Sequence, residues 1–358
     1  MKDLDERPSR LLYAVIALAF LLYYLVAAVP LREELALHPA WALDVARARE
    51  DPAVLGYGRS IPFRLGERYG MFTSEGGLLW SRAAGFDAAV SEALVLPYAP
   101  DSTSLEALDS AGRPAFRIEA EGWPFFRSGR LFLVSPEMDS VAEYSREGKL
   151  LWSYDFHFNL TDFDAAGDLA VGGLLDGTLE GIDSDGRRVF QFAPGGSRVG
   201  VILGVAIDPS SEAVAAIAGI DRQRFILLVR KGGVFRVQHH EFLNSDYREQ
   251  VTVRFTRDGR YVLYRQPEGI AVFDRETGRT SMLPVKAESF ELASYEARGL
   301  EFLFARNAGS DLIVCFRPPS GVIFTFPLPG DFRWMKFQDG SLFLGSGTVV
   351  GRIDVVEE

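Results

Sequence analysis

Three groups of residues in this 358-residue chain are of the types that could do chemistry. His239-His240-Glu241 is its one histidine cluster, the other two histidines being His38 and His157. Imidazoles beside a carboxylate are transition-metal ligands, but a site needs at least a third well-placed ligand. Adjacent residues on a strand also point to opposite faces, so the two rings would not share one ion. Asp162-x-Asp164-x-x-Gly167-Asp168 and Asp183-x-Asp185-Gly186 are spaced like calcium loops. Neither supplies the full oxygen set or the terminal bidentate glutamate of an EF-hand. Asp, Ser and Gly are also what β-turns demand, so both runs are expected to be structural turns.

The third group is basic. Residues 221–265 carry Arg222, Arg224, Arg230, Lys231, Arg236, Arg248, Arg254, Arg257, Arg260 and Arg265, against five acidic residues, on a chain of net charge −11. These ten form the candidate binding surface, suited to an acidic protein segment, a phosphate or a polyanionic glycan. The competing expectation is that strand alternation spreads them over different faces, where they pair with neighbouring acids. Nucleic acid is not an expected partner of so acidic a chain. No G-x-S-x-G, H-E-x-x-H or P-loop occurs. The single cysteine, Cys315, rules out an intramolecular disulfide and a cysteine-based zinc site. No catalytic, cofactor-binding or metal-binding residue is assigned, and no cofactor is expected.

The elements that must position these residues repeat. An apolar residue is followed three positions later by another, then four later by glycine, then four later by an aromatic. The copies are Tyr69, Phe72, Gly76, Trp80; Leu105, Leu108, Gly112, Phe116; Val141, Tyr144, Gly148, Trp152; and Leu179, Ile182, Gly186, Phe190. Each reads as a β-hairpin, its glycine taking the turn and its aromatic packing between adjacent sheets. Looser hairpins follow at 225–235, 270–282 and 312–324, marked by Gly232, Gly278 and Gly321. With two further strands per copy, the repeat is that of a propeller blade. The chain stops at the third strand of a blade and its first copy starts partway through one, so the two ends are expected to complete a shared blade. The expected fold is an all-β propeller of seven blades, with eight as the alternative, over residues 60–358.

Glu147-Gly148-Lys149-Leu150-Leu151-Trp152 and Gly76-Gly77-Leu78-Leu79-Trp80 resemble the end of the quinoprotein-like (PQQ-type) propeller repeat. Phe273-Asp274-Arg275-Glu276-Thr277-Gly278 is similar to the end of a WD40-type or YVTN-type blade. The resemblance implies fold rather than activity. Quinoprotein dehydrogenases hold their quinone against a vicinal disulfide, which one cysteine cannot make, so the chain is expected to be a non-catalytic member.

Ahead of the repeats, Leu11–Val29 runs 19 residues without a charge, enough to span a bilayer core as a helix. A cleavable signal peptide is the rival reading, though its apolar region would be unusually long. Lys2, Arg7 and Arg10 before the run, against Arg32 close behind it, place residues 1–10 in the cytoplasm. Residues 30–59 are then a helical stalk and linker, and the propeller lies outside the inner membrane, in the periplasm of a double-membrane bacterium. The expected function is a non-enzymatic, membrane-tethered scaffold holding a protein partner, with a small-ligand sensor as the alternative.

Overall fold

The computed structural model describes residues 35–54, 56–307, 310–328 and 332–357. Apolar–polar alternation between closely spaced turns commits the chain to short antiparallel strands. The described residues form eight separate sheets. β1 (Leu35–Asp44) runs first and joins the last sheet. Blade 1 is β2 (Ser60–Leu65), β3 (Arg68–Thr73) and β4 (Leu78–Ala83). Blade 2 is β5 (Asp87–Val90), β6 (Leu94–Tyr98), β7 (Leu105–Asp109) and β8 (Pro114–Ile118). Blade 3 is β9 (Trp123–Arg127), β10 (Arg130–Val134), β11 (Ser140–Tyr144) and β12 (Leu150–Asp155). Blade 4 is β13 (Leu160–Ala166), β14 (Leu169–Leu174), β15 (Leu179–Asp183) and β16 (Arg188–Phe192). Blade 5 is β17 (Ile202–Ile207), β18 (Ala213–Ala218), β19 (Arg224–Lys231) and β20 (Val234–Phe242). Blade 6 is β21 (Val253–Phe255), β22 (Tyr261–Gln266), β23 (Gly269–Asp274) and β24 (Arg279–Leu283). Blade 7 is β25 (Ser289–Tyr295), β26 (Leu300–Arg306), β27 (Asp311–Arg317) and β28 (Gly321–Leu328). Blade 8 is β29 (Phe332–Gln338), β30 (Ser341–Ser346) and β31 (Val349–Glu357), completed by β1 at its outer edge.

Eight blades replace the expected seven. Each of blades 1 to 7 ends in a local hairpin that the sequence displays. The outer pair of blade 8 is β31 with β1, drawn from opposite ends of the chain, and so leaves no local hairpin to count. The expected helical stalk is also corrected. Leu35–Asp44, with Pro39 inside it, is an extended edge strand, where proline's missing N–H is tolerated. Among the described residues the helical pieces are two 3₁₀ turns, Pro52–Val54 and Glu296–Arg298. No described helix is long and apolar enough to cross a membrane. The expected single-pass placement with an extracytoplasmic propeller is corrected on that ground, and Leu11–Val29, on which it rested, lies outside the described residues.

Pro39–Asp354 is one compact unit. Met1–His38 with Val355–Glu358 is a second, of which Leu35–His38 and Val355–Glu357 are described, as extended strand ends. The core of the first unit is a set of layers between neighbouring blades. Leu169, Val171 and Leu179 of blade 4 pack on Ile202, Val214 and Ile226 of blade 5, all buried. Phe225 of blade 5 stacks on Tyr264 of blade 6 with ring centroids 4.5 Å apart. The innermost strands of blades 2 to 8 begin at the same end of the channel, here the upper face. Connections between blades and second-to-third-strand turns lie there, and the other turns lie on the lower face.

Blade 1 departs from this plan. Arg59, just before β2, pairs with Asp339 in the β29–β30 turn (3.3 Å), and Arg64 near its end pairs with Asp87 at the start of β5 (2.9 Å). β2 therefore runs opposite to the other innermost strands. Blade 1 lacks a first strand, and its second-strand equivalent lines the channel. Pro62 on this edge strand offers no N–H for further pairing. Lys336 of β29 reaches Glu92 in the β5–β6 turn (2.6 Å), bridging blades 8 and 2 across the shortened blade.

Candidate functional site

The turn glycines of the repeat hold neighbouring blades in register. Gly112, Gly148 and Gly186 have φ of +74°, +76° and +78°, which glycine adopts without penalty. Each also lies under the outer-strand aromatic of the preceding blade. A Cβ at Gly112 would meet the Trp80 ring at 2.9 Å, one at Gly148 the Phe116 ring at 2.3 Å, and one at Gly186 Trp152 at 2.6 Å. Trp80 Nε1 donates to Ser110 O (2.9 Å). Trp41 of β1 repeats the arrangement at the ring closure, covering Gly76 and donating to Ser74 O (3.2 Å). Its position identifies β3–β4 as the equivalent of a third-to-fourth-strand hairpin.

This frame presents loops on the upper face. Phe86, Met138, Phe158, Leu175 and Val199 all stand in upper-face connections or turns, between 40% and 54% exposed. They belong to consecutive blades and their loops touch. Phe86 lies 6.3 Å from the Trp123 ring, Leu160 N donates to Met138 O (2.6 Å), and Leu175 N donates to Asn159 O (2.9 Å). Most other exposed apolar side chains lie on outermost strands at the rim.

Inside this crescent a cavity of ≈ 420 Å³ opens into the channel between the innermost strands of blades 3 and 4. Trp123, Phe125, Leu160 and Phe163 are among its walls, with Arg127 and Asp162 deeper along β9 and β13. The rings brace one another: Phe125 stacks on Phe132 (5.6 Å) and meets Phe163 edge-on (5.5 Å). Gln250, from the connection between blades 5 and 6, donates to Thr161 O at one side.

The channel charges are matched. Arg127 Nε lies 3.8 Å from Asp164, and Arg306 Nη2 2.7 Å from Glu291. Asp162 accepts the N–H of Val205 and Asp164 that of Ile207, both at 2.8 Å, tying blade 4 to the innermost strand of blade 5. Burial pushes the Asp162 carboxyl up to about 6, against the opposing pull of these N–H groups and of Arg254. Asp164 and Glu291 are raised for the same reason.

Residues 6–358 match the family described as beta-propeller protein. The chain belongs to that family. A Treponema pallidum (strain Nichols) protein described as uncharacterized is 28% identical over 277 residues, 75% of this chain and 74% of its own. BamB from Moraxella catarrhalis superposes with a TM-score of 0.60 at 14% identity, covering 89% of this chain and all of that one. The dihydro-heme d1 dehydrogenase NirN gives 0.54 at 16% identity, over 73% of this chain and 59% of that one. These structural likenesses agree with the quinoprotein-like resemblance in fold alone.

In this β-propeller protein the ten basic residues are not brought together. Arg222, Arg224, Arg248 and Arg265 stand toward the upper face, Arg230, Lys231, Arg236, Arg257 and Arg260 toward the lower, and Arg254 faces the channel. Several are engaged: Arg230 with Asp168 and Glu212, Arg257 with Glu296, Arg260 with Asp274 and Glu276, Arg265 with Glu249. Arg222 and Arg224 lie over the Phe242 ring at 4.1 and 4.9 Å. Their places at opposite ends of the strands account for the division.

His240 is exposed on β20, while the His239 ring packs 4.5 Å from Phe273. Among the described residues no group of three His, Cys, Asp or Glu could hold a metal. Asp183 takes the turn expected of it, accepting N–H from Asp185 and Arg187, both at 2.9 Å. Asp162 and Asp164 do not: they lie on an innermost strand as inter-blade clamps. The upper-face cavity is not legible in the sequence because its walls come from separate repeats. The signal there is Trp123-Pro124-Phe125-Phe126-Arg127, an aromatic–aromatic–basic alternation shared with Phe332-Arg333-Trp334-Met335-Lys336.

Proposed function

We propose that this β-propeller protein is a non-enzymatic scaffold that docks a protein partner on its upper face. The observation that carries this reading is the run of five exposed apolar side chains, Phe86, Met138, Phe158, Leu175 and Val199, on adjoining loops around the channel mouth. Contiguous exposed apolar surface rimmed by polar groups marks an interaction site, whereas apolar residues scattered singly do not. Polar pairs such as Arg198–Asp221 (3.1 Å) border it. The single cysteine, Cys315, is buried, with its thiol pushed up to about 12 by burial.

Quantitative crosslinking mass spectrometry in the native organism tests the reading with two double variants. Phe158→Asp with Leu175→Asp should reduce crosslinks to specific partners about tenfold or more, the loss expected when interface anchors are removed. Val234→Asp with Val322→Asp, on outer strands, should leave them intact. Equal loss in both, or partners indifferent to the upper-face pair, would refute the proposal.

A further inference from the structure

We infer that the cavity between blades 3 and 4 receives the C-terminal residue of a partner chain, with an aromatic or branched aliphatic side chain between Trp123, Phe125 and Phe163 and its carboxylate on Arg127. The inference rests on the upper-face docking just proposed. At ≈ 420 Å³ the cavity falls in the range that holds a small ligand or single anchor residue, and it is walled mainly by apolar groups. Its position at the centre of the exposed crescent makes it the place for an anchor.

The unfilled hydrogen-bonding capacity beside the cavity belongs to Arg127, a donor that suits an anion. Both carboxylates beside the cavity already accept backbone N–H groups, Asp162 from Phe163 and Val205 and Asp164 from Ile207. Arg127 is less fully used. Its Nη1 donates to Phe126 O (3.1 Å) and its Nε lies at 3.8 Å from Asp164, beyond hydrogen-bond length. Its Nη2 has no hydrogen-bond partner among the described residues. The guanidinium is held over the Phe125 ring, centroid distance 5.4 Å, so it is oriented before a ligand arrives. Arg254, close enough to pull on both carboxyls, adds a second positive charge.

Geometry favours a chain end over an internal acidic residue. The cavity lies between two innermost strands, and Gln250 bridges to Thr161 at its side. A terminal residue enters end-on and needs no exit, and it presents an apolar side chain and a carboxylate on one carbon.

Titration calorimetry on the full chain, with four probes, tests this. Acetyl-Ser-Gly-Ser-Phe with a free carboxylate should bind, and the same peptide amidated should bind about tenfold or more weakly, the value of a charge-assisted hydrogen bond. Acetyl-Ser-Gly-Ser-Ser should not bind. Arg127→Gln, its fold checked by circular dichroism, should reduce the free-carboxylate peptide to the level of the amidated one. Met138→Glu at the rim should weaken it while leaving Arg127 in place. Equal binding of free and amidated peptides, or insensitivity to both variants, would overturn the inference. Tighter binding of N-acetylphenylalanine than of the peptide would also overturn it, in favour of a free carboxylic acid. Loss of peptide binding with upper-face crosslinks intact would sink this inference and leave the docking face standing.

Discussion

Gly148→Ala separates the two reasons for glycine in the blade turns. Gly148 has φ +76°, and a Cβ there would lie 2.3 Å from Phe116 Cδ2. Gly232, in the equivalent turn of blade 5, has φ +60° with nothing within 4 Å of its Cβ position. Alanine at either site bears the left-handed backbone penalty of about 1–2 kcal/mol, partly offset by about 0.4–1 kcal/mol of lost unfolded-state entropy. Gly232→Ala should therefore cost about 1 kcal/mol. At Gly148 the Phe116 ring must also move, adding the about 1–3 kcal/mol typical of overpacking, for about 2–4 kcal/mol in all. Urea denaturation of both variants gives the comparison. In a Phe116→Ala background the cost of Gly148→Ala should fall to about that of Gly232→Ala, leaving a coupling of about 1–3 kcal/mol. Equal midpoints for Gly148→Ala and Gly232→Ala, or no coupling to Phe116, would refute the idea that ring packing sets blade register.

Two further outcomes concern the channel and the blade 3–4 contact. Asp162, raised from 3.8 to about 6 by burial, binds its proton more tightly folded than unfolded, so its contribution to stability is full below about pH 4 and lost as pH rises through about 6. Asp162→Asn keeps an acceptor for the Val205 N–H and should flatten the stability profile between about pH 4 and 6, by about 1–3 kcal/mol in thermal or urea unfolding. Arg130 makes a two-pronged pair with Glu143 (2.8 and 2.6 Å) and also donates to Gly167 O and Leu169 O of blade 4 (both 3.2 Å). Glu143→Ala leaves that guanidinium half-paired in a largely buried place and should cost about 3 kcal/mol by urea denaturation.

The repeat phrase was legible because its physics is local. A glycine at positive φ, an apolar pair before it and an aromatic after it lie within 12 residues, as in Leu179 to Phe190, and a hairpin needs no distant contact to declare itself. That determined the all-β class, the blade and the packing of its aromatic between adjacent sheets. The need for shared closure was legible too, since unpaired sheet edges demand partners. Tertiary structure alone decided what depended on contacts across the chain. β1 read as a helix because its alanines and leucines fit one, yet the open edge of β31 recruits it as a strand, and Trp41 finds Gly76. The eighth blade followed from that recruitment. Asp162 and Asp164 looked like turn residues until β17 brought the N–H groups of Val205 and Ile207 to them. The candidate site was beyond reach for the same reason: Phe125 and Phe163 belong to different blades, and only the packing of blade 3 on blade 4 sets them 5.5 Å apart around one cavity.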